Sequence, residues 1–247
     1  MQRHFHPVQN RLLAALPAED FGLVAPHLAQ VDLERGRLLY EPGDRIDTIY
    51  FPHDGVISLM TLMESGAAIE NAIIGREGAV GLAASAAPRQ ALSRAIVQAP
   101  CRCARISTHH LHEAWTRSAA IRRMTDRHGE VLLGHATQMV ACNALHSVEA
   151  RFCRWLLSCH DRISKDTVAL TQEVLADMLG VQRTTVTTVA RALQDKGFIR
   201  YRRGVVDIVN RAGLEAVSCE CYAVMRSTYD RLFPGAAMAR VSAGTSS

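Results

Sequence analysis

Arg183, Thr184, Thr187, Thr188 and Arg191 recur at steps of one and three inside residues 181–194, a stretch without a single carboxylate. On a helix that spacing places them on one face. A guanidinium can pair bidentately with guanine, and short hydroxyls can reach base edges or phosphates. Gln182 and Thr185 complete the polar set. Thr171 stands ahead of it, and Arg202 and Arg203 follow at a turn. From residue 181 to 211, seven Lys/Arg oppose two Asp, a net +5, while the whole 247-residue chain carries +4. The positive charge is therefore concentrated in one segment, as expected of a surface that meets nucleic acid phosphates.

Other reactive residues give weaker patterns. Cys101-x-Cys103 and Cys219-x-Cys221 are the close thiol pairs. Structural zinc sites usually space their ligands by two residues or more, so small apolar packing is the expectation for both pairs. His109-His110-x-His112 reads as the start of a surface helix. Pro100-Cys101-x-Cys103 with His128-Gly129-Glu130 has the wrong spacing and order for a zinc deaminase. Neither a Walker-type phosphate loop nor a nucleophile elbow appears. No catalytic residue, metal site or cofactor is expected, and the chain reads as a binding protein, not an enzyme.

The elements around the basic face follow from local pattern. Leu175 and Leu179 are four apart on a first helix, and Val186, Val189 and Leu193 continue on a second. Thr171 can cap the first helix, and Gly180 can take the left-handed conformation that ends it. This is a helix-turn-helix. Residues 197–209 read as strand, turn, strand, which makes it a winged helix. Upstream, short apolar runs at residues 38–40, 46–51, 56–62, 67–74 and 95–106 alternate with turn clusters, the pattern of an antiparallel β-roll. Residues before about 29 look helical. From Ser118, Ile121, Met124, His128, Val131, Leu132, His135, Met139, Cys142 and Leu145 recur at threes and fours without a proline. That is one long helix with a wide apolar surface. Ile121, His128, Leu132, His135, Met139 and Cys142 are expected to meet a second copy. A further helix spans about 147–161.

The expected organisation is α+β: a β-roll sensor domain with N-terminal helices at 1–117, a dimerisation helix at 118–146, a winged helix at 147–233 and a disordered tail at 234–247. No apolar run approaches the length of a membrane span. The N-terminus lacks the apolar core of a signal peptide, so a cytoplasmic location is expected. There the odd count of seven Cys suits free thiols.

With its β-roll, long helix and winged helix in that order, the chain resembles the Crp/Fnr family of bacterial transcription regulators over about residues 20–233. The strongest motif runs from Leu170-Thr171-Gln172-Glu173 through Gly180-Val181-Gln182-Arg183-Thr184-Thr185-Val186. Leu39-Tyr40-Glu41-Pro42-Gly43-Asp44 and Ala104-Arg105-Ile106-Ser107 support it. Tyr50-Phe51-Pro52, Gly75-Arg76-Glu77-Gly78, Ala141-Cys142-Asn143 and Cys219-Glu220-Cys221-Tyr222 resemble a subgroup without an established ligand. The resemblance implies a homodimer that reads a palindromic duplex with two recognition helices one turn apart. It also implies RNA polymerase as a partner where the regulator activates. Glu77 and Arg94 are the candidate effector-binding residues. The motif that grips a cyclic phosphate is altered: Glu77 precedes Gly78, Arg94 is displaced, and Ala91 aligns with the phosphate-binding Arg. These departures argue against a cyclic nucleotide, and no Cys precedes Cys101 to hold an N-terminal iron–sulfur cluster. The rival readings are a winged helix that docks protein and a constitutive regulator without an effector.

Overall fold

The computed structural model describes residues 9–87, 90–163 and 165–233. The tail at 234–247 lies outside the described residues. Two short helices, α1 (Arg11–Ala14) and α2 (Ala18–Val24), precede a roll of seven strands: β1 (Ala29–Leu33), β2 (Leu38–Tyr40), β3 (Thr48–Pro52), β4 (Val56–Leu62), β5 (Ala68–Ile74), β6 (Arg94–Ala99) and β7 (Cys101–Ser107). They form two antiparallel sheets ordered β1-β7-β3 and β2-β6-β4-β5. Pro100 splits the single apolar run at 95–106 into β6 and β7, because proline cannot supply a ladder N–H. β1 was not anticipated. Only one of its five residues, Leu33, is buried, so the strand rests on pairing with β7 and not on its own pattern.

The helix α3 (Thr108–Arg117) leads into α4 (Ala119–Leu145), which Ser118 caps by accepting from the Ile121 N–H at 3.0 Å. A second serine, Ser147, caps α5 (Val148–His160) and separates it from α4. Next come β8 (Thr167–Ala169), α6 (Gln172–Leu179), α7 (Arg183–Asp195), β9 (Ile199–Arg202), β10 (Val205–Ile208), α8 (Arg211–Val217) and α9 (Cys221–Leu232). β8 is three residues long and exists because β10 pairs with it. α9 returns from the winged helix and lies along α4.

The cores explain this arrangement. Leu12, Phe51, Ile106, Leu111, Ile121, Val131 and Tyr229 form one cluster between a sheet of the roll and the helices that cover it. Trp155, Leu175, Val186, Leu193 and Val206 form the winged-helix core. That core is continuous with the roll through Val56, Met60 and Ile73. At about 25 cal/mol per Å² of apolar area, this shared surface favours keeping the two parts together.

The row Ile121, Met124, His128, Val131, His135, Met139 and Cys142 on α4 is buried within the chain, against the roll and α9. This corrects the expected helix–helix interface. Ile121, His128, His135, Met139 and Cys142 are already covered, and Leu132 is half-buried against the roll core. The periodicity located an apolar stripe correctly, but the roll and α9 occupy it. The free stripe is a different one. Leu133, Val140 and Leu145 are 70%, 73% and 79% exposed, and the small Gly129 and Ala144 are exposed beside them.

Candidate nucleic-acid interface

α6 begins at Thr171, whose hydroxyl oxygen accepts from the Val174 N–H at 3.3 Å. It ends at Gly180, held at φ 62°, whose N–H reaches the carbonyls of Ala176 and Asp177. A side chain here would be strained, and its Cβ would lie 3.0 Å from Ile69 Cδ1 of β5. Glycine thus serves both the turn and the close approach of the roll. α7 buries Val186, Ala190 and Leu193. The opposite face exposes Gln182, Arg183, Thr184, Thr187, Thr188 and Arg191, and Thr185 is half-buried at its border. The Thr187 hydroxyl lies 2.9 Å from Gln172 Oε1 and 3.0 Å from the Arg183 carbonyl. Thr188 donates to the Thr184 carbonyl at 3.1 Å.

β9 and β10 are joined by Arg203 and Gly204, with Arg202 paired to Val205. Both turn residues have positive φ, 49° and 75°. That is the two-residue hairpin whose twist suits antiparallel strands. Arg202 and Arg203 stand exposed at the tip. The Leu170 N–H donates to the Gly204 carbonyl at 2.6 Å, which fixes the wing beside the start of α6.

The structure brings Thr171, Arg183, Thr187, Arg191 and Arg203 to the rim of one groove between α6, α7 and the wing. Gln182, Thr184, Thr185, Thr188 and Arg202 sit on the same elements outside it. Sequence reasoning missed Gln172, Glu173, Gln194 and Tyr201, which also line the groove. Tyr201 donates its hydroxyl to the Leu170 carbonyl at 2.9 Å, and its N–H donates to Gln194 Oε1 at 2.6 Å. It locks the wing to α7. Its signal was the alternation of β9, where Ile199 and Tyr201 turn inward and Arg200 and Arg202 outward.

Two of the seven basic residues are not free for a partner. Arg211 is nearly buried and pairs with Asp161 at 2.8 Å, and Lys196 pairs with Glu149 at 2.5 Å. Arg183, Arg191, Arg200, Arg202 and Arg203 remain exposed.

Glu77 and Arg94 are not brought together. Glu77 is buried and pairs with Arg162 at 2.7 Å. Arg94 makes a bidentate contact to Glu41, with Nε 2.9 Å from Oε2 and Nη2 2.7 Å from Oε1. Ala91, which the resemblance aligns with a phosphate-binding Arg, is buried at 3% exposure. Among the described residues no helix is long and apolar enough to cross a membrane.

Two family models match. The cyclic nucleotide-binding domain covers residues 30–118, and the Crp-like helix-turn-helix domain covers residues 150–217. No curated protein matches the chain. Among solved structures, a protein described as a Crp/Fnr-family transcriptional regulator from Eubacterium rectale superposes with a TM-score of 0.66 at 18% identity, over 85% of this chain and 98% of that one. FixK2 from Bradyrhizobium japonicum superposes with 0.65 at 17% identity, over 78% and 98%. The c-di-GMP-responsive global regulator CLP of Xanthomonas campestris superposes with 0.61 at 18% identity, over 78% and 99%. At these identities the structural likeness shows the fold.

Proposed function

We propose, from the premise that the chain belongs to the Crp/Fnr family of transcription regulators, that it acts as a homodimer on a palindromic duplex. α7 is the recognition helix. Arg183 reads a guanine, Thr184, Thr187 and Thr188 contact neighbouring base edges, and Arg191 reaches phosphate. Gln182 and Thr185 flank the reading face, and Thr171 holds the start of α6. Arg202 and Arg203 grip the backbone beside the groove.

The observation that carries this reading is the wing tip. Arg203 is held in the left-handed region, at φ 49°. That conformation costs a non-glycine residue roughly 1–2 kcal/mol. Asparagine or glycine would fill the turn with less strain, yet the site presents two adjacent guanidinium groups beside an exposed basic helix. A wing that docks protein has no need of that charge.

The second copy is placed against the exposed face of α4. Leu133 and Val140, with the small Gly129 and Ala144, form a narrow apolar seam of the kind two helices pack across. To read half-sites one turn of DNA apart, the two copies of α7 must lie about 34 Å from each other in that dimer. RNA polymerase is a further partner if the regulator activates. The roll is not proposed to hold a cyclic nucleotide through Glu77 and Arg94, because both side chains already have partners inside the chain.

Selection from a pool of random duplexes tests it. The expected result is an enriched palindrome with half-sites one turn apart, and weaker enrichment with relaxed base preference for the Arg183→Ala protein. An unenriched pool with the wild-type protein would overturn the reading.

A further inference from the structure

Four side chains capable of holding a metal converge where the long helix ends. Cys142 lies in the last turn of α4 and His146 one turn further on, at its C-terminal cap. Cys219 precedes α9 and Cys221 opens it. Three thiol sulfurs and one imidazole nitrogen all lie within 4.8 Å of one another. Cys142 Sγ is 3.6 Å from Cys219 Sγ, and Cys221 Sγ is 3.6 Å from His146 Nδ1. A tetrahedron built on zinc–sulfur bonds of about 2.3 Å and a zinc–nitrogen bond of about 2.0 Å has edges of roughly 3.5–3.8 Å. Both of these edges fall in that range, and the other separations lie within 4.8 Å. A disulfide would bring two sulfurs to about 2.05 Å, and all seven cysteines are free.

The surroundings suit a bound cation as well. His146 presents Nδ1 to the thiols, and its Nε2 lies 3.0 Å from Glu220 Oε2. A carboxylate on the far nitrogen orients a ligating imidazole and raises its basicity. Gln138 donates its amide N–H to Cys221 Sγ at 3.0 Å. The three cysteines are buried, with Ala150 packed against them. Three thiolates and a divalent ion sum to −1. The guanidinium of Arg154 is buried, lacks a hydrogen-bond partner at Nε, and exerts its charge on Cys142 and Cys219. Small apolar packing explains the burial of these cysteines but not the convergence of three sulfurs and the His146 nitrogen within 4.8 Å at the start of α9.

We propose that Cys142, His146, Cys219 and Cys221 form a tetrahedral site for a thiophilic divalent ion of the zinc class. Each thiol loses its proton to solvent as the metal–sulfur bond forms. Four protein ligands leave no position open to substrate, so the role is structural. The ion ties the end of α4, just before the Ser147 break into the winged helix, to the start of the returning helix α9. It thereby fixes the segment through which the roll and the DNA-reading part are joined in the chain.

The test uses the full-length protein, purified under reducing conditions, stripped with a chelator and titrated with Co(II). The expected result is one Co(II) per chain. Its spectrum should show the intense visible bands of tetrahedral cobalt and sulfur-to-cobalt charge transfer, both displaced by one equivalent of Zn(II). Cys219→Ser should lower the sulfur-to-cobalt charge transfer, His146→Ala should shift the visible bands and weaken binding, and Cys101→Ser in the roll should leave the spectrum intact. Glu220→Gln should weaken binding by about 10–100-fold while keeping the same bands. The wild-type titration decides even if a variant fails to fold. A wild-type protein without tetrahedral cobalt bands would overturn the proposal. So would a charge-transfer band left unchanged by Cys219→Ser, or a Cys142–Cys219 disulfide in protein isolated without reductant.

Discussion

The Arg162 guanidinium meets the Glu77 carboxylate at 2.7 Å with 5% and 1% of the two side chains exposed. Glu77 follows β5 in the roll, and Arg162 follows α5, the first helix of the winged-helix part. The Gly75 N–H donates to Glu77 Oε1 at 3.1 Å, and Arg162 donates to the Ser158 carbonyl at 2.6 Å. Burial alone would raise the Glu77 pKa. The Arg162 charge and the backbone N–H groups outweigh it and hold the carboxyl below its usual range.

Removing one partner should therefore cost more than removing both. Arg162→Met leaves a buried carboxylate unpaired, and the expected loss is about 3–5 kcal/mol. Arg162→Met with Glu77→Gln should recover much of it. Urea unfolding of the single and double variants at neutral pH checks this. Equal midpoints for the single variant and the wild type would show that the pair does not hold the two parts together.

Stability should fall at mildly acid pH. Burial pushes His128 and His135 down to about 4, from an ordinary value near 6.5. The His128 Nε2 accepts from the Ala79 N–H at 3.1 Å, which requires the neutral ring. The unfolded chain takes up protons as pH falls through about 6.5, and the folded chain does not until about 4. The stabilisation is thus complete above 6.5 and lost between 6.5 and 4, on the order of 3 kcal/mol per imidazole. Glu70 has the opposite sign. Burial pushes it up to about 7 against the Ser58 hydrogen bond and the Arg154 charge, so its contribution is present below about 4.5 and lost as pH rises through 7. Unfolding free energies between pH 4 and 8 should show a shallower acid limb for His128→Gln. An unchanged limb would remove His128 from the account.

At the wing, Arg202→Ala with Arg203→Ala should weaken cognate and scrambled duplexes by similar factors, because phosphate contacts carry no base information. Each lost contact should lower the salt slope by about 0.9. Arg183→Ala should instead cost about 1–3 kcal/mol on the cognate site and relax base preference. Titrations at several salt concentrations separate the two outcomes. A wing variant that loses only the cognate site would mean that the wing reads bases.

Along α4, Leu133→Glu with Val140→Glu should give a folded monomer, since both residues are largely exposed in the single chain. The same charges at Ile121 and Met139 should unfold it, because those positions are buried inside the chain. Sedimentation with circular dichroism distinguishes the cases. A dimer that survives the first double variant would place the contact on another surface.

The α+β class and the helix-turn-helix were legible because their signals are local. Thr171, Gly180 and the apolar steps from Leu175 to Leu193 lie within one short stretch, and each acts on backbone a few residues away. The wing was legible for the same reason, since two strands and a glycine turn sit next to each other in sequence. Short pairing-dependent strands were not. β1 and β8 carry little burial pattern of their own and owe their conformation to β7 and β10. On α4, apolar residues surround the helix, so periodicity reveals stripes without saying which neighbour covers which. Contact with the roll and α9 settled that choice and left Leu133 and Val140 outside. Glu77 and Arg162 are 85 residues apart, and Cys142 and Cys219 are 77 apart. No spacing rule links such positions. They meet because the roll, the long helix and the returning C-terminal helix bury a common surface, and a buried charge or thiol must then find its partner among whatever the packing brings near.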